Sequence, residues 1–330
     1  MSVFYYSSPL GVIEIQIKEK NISSLMFVNN PNTELKDQVL EQDKPLIDKI
    51  KEFFNNYFLS KNPYVGFALK DKPGEFYRQV MSEIRQIPYG KTLIYSDLAK
   101  KINRPKAARA VGNALGKNNI LIINPCHRVV AKAGLGGFTA NLWRKKYLLA
   151  LEQGKLKDIG LNSTQVSLSS NSTYWNELFN IEKEAILSIL DIDPIQIQHI
   201  GSTAINNIQA KPIIDIMLGV KPEQVTEIMP LLKLIGWVYK ANFEPKEWHF
   251  LAKEINGYVT HHLHVCHYNS NFYKEHIAFR DILNREPAIL KEYEEIKQTM
   301  CASYANSRKE YTSAKSDFIV SVINKYRENK

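Results

Sequence analysis

The residues with the clearest chemical potential stand together at Pro125-Cys126-His127-Arg128-Val129-Val130, directly after Ile120–Ile123, an apolar run that reads as a strand. A cysteine is a nucleophile only as its thiolate, and an adjacent imidazole or cation lowers the thiol pKa. His127 and Arg128 are of the right types, although neighbours in sequence need not touch in space. A lone buried cysteine is otherwise most often inert core. A Cys-His pair suits a group transferase and a hydrolase alike. The hydrolase would also need an oxyanion hole and turnover.

The charge pattern says what such a nucleophile would meet. The chain has 330 residues and a formal net charge of +9. Residues 1–80 carry 10 basic and 10 acidic side chains, and residues 156–330 carry 19 and 21. Residues 81–155 carry 14 basic and 3 acidic, so the block around Cys126 holds all the excess. That distribution excludes a uniformly basic chain and points one block at a polyanion. Hydrophobic content of 44% and charged content of 23% exclude a disordered chain. No apolar run approaches the ~20 residues of a membrane span. The start, MSVFYYSSPLG, lacks the basic and apolar regions of a signal peptide. A cytoplasmic location without a membrane partner is expected. Cys126, Cys266 and Cys301 make neither a disulfide framework nor a zinc-ribbon spacing.

Several elements must position these groups. Ile13, Ile15 and Ile17 alternate with polar residues in a strand, and turns are expected at Ser8–Gly11 and Glu19–Asn21. Apolar residues at 46, 47, 50, 53, 54, 57 and 58 have helix spacing. Phe76, Val80, Ile84 and Ile87 line a helix that ends at Pro88-Tyr89-Gly90. A short helix over Thr92–Ile102, with Ser96 as its cap, precedes a second over Lys106–Leu115 that Gly116 stops. Two short helices and a tight turn inside the basic block form a helix-turn-helix candidate. Residues Lys155–Thr173 have a linker composition, rich in Ser, Asn and Thr. Beyond them come a helix at Trp175–Leu190, strands at Ile195–Ile200 and Ile213–Val220, and a strand with His261, His262 and His264. Helices follow at Phe272–Arg285 and Ala288–Tyr304.

With Pro125–Val129 in place, residues 1–154 resemble the methylated-DNA–protein-cysteine methyltransferases, the O6-alkylguanine-DNA alkyltransferases. The resemblance extends to Ser7–Gly11, Pro88–Lys91, Tyr95, Arg104–Ala114 and Arg144–Glu152. It implies a ribonuclease-H-like subdomain over residues 1–72. A helix-turn-helix, winged-helix-like subdomain with the active cysteine would span 73–155. Cys126 would accept an alkyl group irreversibly, once per chain, from O6-alkylguanine, and also from O4-alkylthymine, in double-stranded DNA. His127 would take the thiol proton through water, and Glu152 would orient His127. Asn118 would hold the preceding segment, and Tyr95 would donate a hydrogen bond to the leaving guanine. Lys145, the Val129 carbonyl and the Thr139 backbone would hold the flipped base, with Phe138 at the pocket wall. Arg109, between Ala107, Ala108 and the small residues that follow, would fill the gap left in the duplex, and Arg128 would meet DNA. No cofactor and no zinc are implied, and a monomer is expected. Phe138 and Asn124 depart from the family pattern, and the loop 134–139 is about one residue short. A sensor of DNA alkylation that signals through the second half is the alternative.

Residues 174–330, after a linker at 156–173, resemble the GrpB family and through it the nucleotidyltransferase fold. The matching segments are His199–Ala204, Ala210–Ile216, His261–Val265, His276–Asp281 and Tyr311–Phe318. The fold class expected is therefore α/β and α+β in two domains, the second a mixed α/β nucleotidyltransferase-like domain. That relation implies a cleft in which Gly201 and Ser202 cradle phosphates and Asp215 holds Mg²⁺. Lys211, Arg280 and Lys315 would meet phosphates, and His262 and His264 would share one face toward the cleft. Active nucleotidyltransferases carry a second acid two positions on, where this chain has Met217. A module that binds a nucleotide or a partner without catalysis is the alternative.

Overall fold

The computed structural model describes residues 1–330 apart from 31, 33, 62–65, 157–158, 163–166, 171, 244–247, 256, 304–315 and 328–330. The chain divides into two units of mixed α/β structure. One comprises Met1–Lys157 with Leu234–Gly236, the other Asp158–Lys233 with Trp237–Lys330.

The first unit opens with an antiparallel sheet of β1 (Ser2–Ser8), β2 (Gly11–Lys18) and β3 (Asn21–Phe27), in that order. Alternation along β2 puts Ile13, Ile15 and Ile17 in the core, as period-2 patterning requires. Helix α1 (Lys44–Phe58) buries Ile47, Ile50, Phe53, Phe54, Tyr57 and Phe58. These are six of the seven positions that the sequence spacing selects. Helix α2 (Glu75–Ile84) ends before Pro88, with Tyr77, Val80, Met81 and Ile84 buried. The pair α3 (Tyr95–Lys101) and α4 (Ala108–Gly116) follows, with β4 (Leu93–Ile94) entering α3. Ser96 does not cap α3: the helix begins one residue earlier and its N-cap is Ile94. Helix α4 starts two residues after Lys106, because Ala107 still lies outside the helix.

The run Ile120–Ile123 is not a strand. Leu121 and Asn124 bridge each other across a tight turn, and Ile122 takes φ +68° within it. That left-handed conformation is strained for a β-branched side chain. It reverses the chain directly ahead of Cys126. Strand β5 (Val129–Val130) pairs parallel with β4, and α5 (Leu142–Glu152) closes the unit.

The second unit is built on a mixed sheet in the order β7 (Ile197–Ile200), β8 (Ile214–Val220), β11 (Tyr258–His267), β10 (Trp248–Ile255), β9 (Val238–Phe243). Strands β8 and β11 run parallel, and the other neighbours on this path are antiparallel. Helices α6 (Ser172–Leu187), α7 (Val225–Leu234), α8 (Asn271–Arg285) and α9 (Pro287–Ser303), with a last helix at Ser316–Arg327, complete it. The segment 156–173 is not linker throughout. Leu161–Asn162 forms β6, which pairs with β11, and Ser169 bridges Ala210.

Candidate functional site: a buried thiol, an Asp-His cluster and their relatives

The turn at Ile122 delivers Cys126 to the first residue of a single 3-10 turn, Cys126–Arg128. Both Cys126 and His127 are buried, at 5% and 0% exposure. Asn118, just after α4, donates from Nδ2 to Cys126 Sγ at 3.1 Å and to the Asn124 carbonyl at 3.0 Å. Its Oδ1 accepts from the Ile120 N–H at 3.0 Å. One amide thus ties α4, the turn and the sulfur together. Burial pushes the Cys126 thiol up to about 11, against the opposing pull of Asn118 and the Lys145 ammonium. At neutral pH Cys126 is a thiol, so its activation needs a proton acceptor.

His127 has a ring nitrogen of the kind such an acceptor needs. Its Nε2 lies 2.8 Å from Glu152 Oε1, so with the carboxylate ionised the ring proton sits on Nε2. Nδ1 is buried without a hydrogen-bond partner among the protein atoms, and its lone pair is left to accept a proton. Burial lowers the His127 pKa, with Glu152 working in the other direction, and the ring is neutral at pH 7.

Glu152 is the centre of the network. Burial alone would raise its pKa, but His127 and Arg128 together hold it well below the usual carboxylate range. Its two oxygens accept from His127, from Arg128 Nε at 2.7 Å and Nη2 at 2.9 Å, from the Gly90 N–H at 3.1 Å and from Tyr57 Oη at 2.6 Å. Arg128, expected to meet DNA, is paired with Glu152 in this structure. Its third nitrogen donates to the Ile87 carbonyl at 2.7 Å, and the guanidinium lies over Tyr89. Three of its five N–H donors are thus directed inward. Tyr57, on α1, escaped the sequence reading. Its helical spacing marks it only as core, and nothing in the spacing shows that its hydroxyl reaches Glu152, 95 residues away in sequence.

The remaining candidates surround the thiol. Lys145 Nζ donates to the Val129 carbonyl at 2.6 Å and to the Gly137 carbonyl at 3.0 Å. Burial lowers its pKa to about 8, and the nearby Cys126 opposes the shift. Tyr95, the first residue of α3, packs against Gly136. A Cβ at Gly136 would lie 2.7 Å from the Tyr95 ring, and its φ of +68° also favours glycine. Phe138 sets its ring edge against His127 at 6.5 Å, and Thr139 Oγ1 donates to the Gly116 carbonyl at 3.3 Å. Arg109 is exposed on α4, next to the half-buried Ala107 and Ala108.

In the second unit the structure brings three of the candidates into contact. Parallel register sets Asp215 beside His262, and His264 follows on the same face. His262 Nδ1 lies 2.7 Å from Asp215 Oδ1, and His264 Nε2 lies 3.9 Å from the same oxygen. Burial alone would raise the Asp215 pKa, but the two imidazoles hold it well below the usual range. Gly201, at φ +67°, packs on this carboxylate, where a Cβ would sit 2.5 Å from Oδ2.

Among the described residues, Ser202 and Arg280 of the expected phosphate cradle meet protein partners. Ser202 Oγ is 3.2 Å from Tyr293 Oη. Arg280 is held by Gln198, the His199 carbonyl and Asp281. Lys211 is half-buried just ahead of β8, and Lys315 lies outside the described residues. The Mg²⁺ expectation also fails on donor chemistry. Mg²⁺ demands oxygen ligands, and Asp215 faces two ring nitrogens.

Comparison with known proteins agrees with this division. Residues 75–154 match the family model described as 6-O-methylguanine DNA methyltransferase, DNA binding domain, and residues 165–325 match that of GrpB protein. The methylated-DNA–protein-cysteine methyltransferase of Haemophilus influenzae is 34% identical over 168 residues, covering 49% of this chain and 91% of the relative. That of Sulfolobus acidocaldarius is 38% identical over 147 residues, covering 44% and 90%. The glutamate-rich protein GrpB of Alkalihalophilus pseudofirmus is 36% identical over 171 residues, covering 50% and 98%. A buried Cys-His-Glu arrangement in one half and an Asp-His sheet face in the other thus fall within two separate lineages. The chain belongs to the methylated-DNA–protein-cysteine methyltransferase family through its first half and to the GrpB family through its second.

Proposed function

We propose that the first unit repairs DNA by moving an alkyl group from O6 of guanine, and from O4 of thymine, to Cys126. The observation that carries this reading is the pairing of a buried thiol with an imidazole whose unpartnered nitrogen can receive a proton. His127 Nδ1 accepts the thiol proton through one water, and Glu152 stabilises the imidazolium that forms. The thiolate attacks the alkyl carbon. The carbon–oxygen bond breaks, its electron pair passes to the base, and Tyr95 and Lys145 steady the departing guanine. A thioether forms, and nothing in the site reverses it, so each chain acts once. No cofactor takes part.

The target atom is out of reach inside a duplex, so the nucleotide must leave the stack. Helix α4 presents Arg109 among small side chains, which suits a helix that approaches a groove and fills the gap with one side chain. In this reading residues 1–72 are a ribonuclease-H-like platform and 73–155 a winged helix-turn-helix with the active cysteine, acting as a monomer on duplex DNA. The domain following 174 lies outside this chemistry.

The test uses duplex DNA with a labelled methyl on O6 of one guanine. Cys126→Ala keeps duplex affinity within about twofold and takes up no label. Label on the variant would overturn the assignment.

A further inference from the structure

We propose that Asp215, His262 and His264 form a binding site for a divalent first-row transition metal on the GrpB-like unit. One ligand atom from each residue lies within 4.8 Å of the others. Metal–ligand bonds of about 2.0–2.2 Å need ligand atoms roughly 3–3.6 Å apart, so the three have little distance to travel. Two imidazole nitrogens and one carboxylate oxygen form the donor set that suits Zn²⁺, Mn²⁺, Fe²⁺ or Co²⁺ and disfavours Mg²⁺ and Ca²⁺.

The strands hold this set in place. Asp215 and His262 are direct partners across the parallel pair β8 and β11, so their side chains rise from one face side by side. Phe250 packs on both rings, at 4.9 Å from His262 and 5.3 Å from His264, and Trp248 stacks on His264 at 5.6 Å. The Gly201 backbone presses against the carboxylate. Side-chain exposures of 14%, 15% and 28% leave the cluster open on one side. Three protein ligands with an open position describe a site that also takes water or substrate, unlike a closed structural centre.

Proton placement adds a condition. The Trp248 indole N–H lies 3.1 Å from His264 Nδ1, so the ring proton rests on Nε2. Ligation through Nε2 therefore moves that proton to solvent, or to Nδ1 with the indole turned aside. His262 Nδ1 faces the ionised Asp215 carboxylate and carries the ring proton, so ligation through Nδ1 requires that proton to leave or to move to Nε2.

The experiment titrates the untagged full chain, cleared with a chelator, with Co²⁺ or Zn²⁺. The expected result is one ion per chain with Kd in the micromolar range or tighter, undisturbed by millimolar Mg²⁺. Asp215→Asn and His264→Ala weaken binding by about 100-fold or more, beyond what loss of an outer-shell partner costs. His249→Ala, on β10, leaves it unchanged. Failure of the unaltered chain to bind, binding retained in both ligand variants, or displacement by Mg²⁺ would each overturn the proposal. Imidazole NMR of the unaltered chain gives a readout free of variants that misfold. Co²⁺ must perturb the His262 and His264 resonances first, and perturbation of His249 and His267 instead would place the ion elsewhere and sink the assignment.

Discussion

Burial raises the Cys126 thiol pKa to about 11 against Asn118 and Lys145, and the proposed reaction assigns its proton to His127 Nδ1. A general thiol reagent should therefore find Cys126 unreactive. Iodoacetamide at pH 7.5 is expected to label the half-buried Cys301 before Cys126, as read by peptide mass spectrometry. Preferential labelling of Cys126 would mean an already ionised thiol. Glu152 carries the second residue-scale prediction. It is the buried anion for His127 and Arg128, and Glu152→Gln leaves the Arg128 cation unmatched. The expected cost is about 3–5 kcal/mol near pH 7, measured by chemical denaturation. The folded-state pKa of Glu152 is depressed, so its contribution is fully present above the unfolded carboxyl value of about 4.3 and is lost as pH falls through the folded value. The gap between wild type and variant should accordingly narrow below pH 4. A gap that is constant with pH would place the effect in packing rather than charge.

At the scale of elements, the proposed function gives α4 the DNA-facing role. Arg109→Ala should leave fold stability within ~0.5 kcal/mol, because the side chain is exposed. It should slow alkyl transfer from duplex DNA far more than transfer from a free alkylated base, which has no stack to leave. Equal slowing of both would remove Arg109 from the extrusion step. The same elements show what could be read in advance. Strand β2 and helix α1 were legible because a single period, 2 or 3.6, governs each of them. Ile120–Ile123 was not, since an apolar tetrapeptide looks the same in a strand and in a buried turn, and the left-handed Ile122 has no signature in residue type. Strands β9 and β10 were missed because the run that forms them mixes aromatic and charged residues. Cys126, His127 and Glu152 were legible as a set only through the family motif. The pairing of Arg128 with Glu152 and the Ile87 carbonyl was not legible, because residue type beside the motif does not reveal these partners. Tyr57 and Gly201 act through contacts across the fold, which one-dimensional spacing does not contain.

For the whole molecule, the uneven charge gains a location. The +11 of residues 81–155 contains α3, α4, Cys126 and Lys145, whereas the Asp-His cluster sits in the nearly neutral half. Among the described residues no helix is long and apolar enough to cross a membrane. Long-range attraction to DNA should come from the first half alone. Duplex affinity of the full chain is then expected to fall steeply with salt, as counterion release requires, and substitutions at Asp215 or His262 should leave that slope unchanged. Repair by alkyl transfer is decided by the fate of the alkyl group. The most direct measurement mixes the full chain with excess duplex carrying O6-methylguanine and maps the product by peptide mass spectrometry. The expected result is one methyl per chain, on Cys126, with unmodified guanine left in the DNA and no second turnover. Methyl found on another residue, or repair continuing past one equivalent, would contradict it.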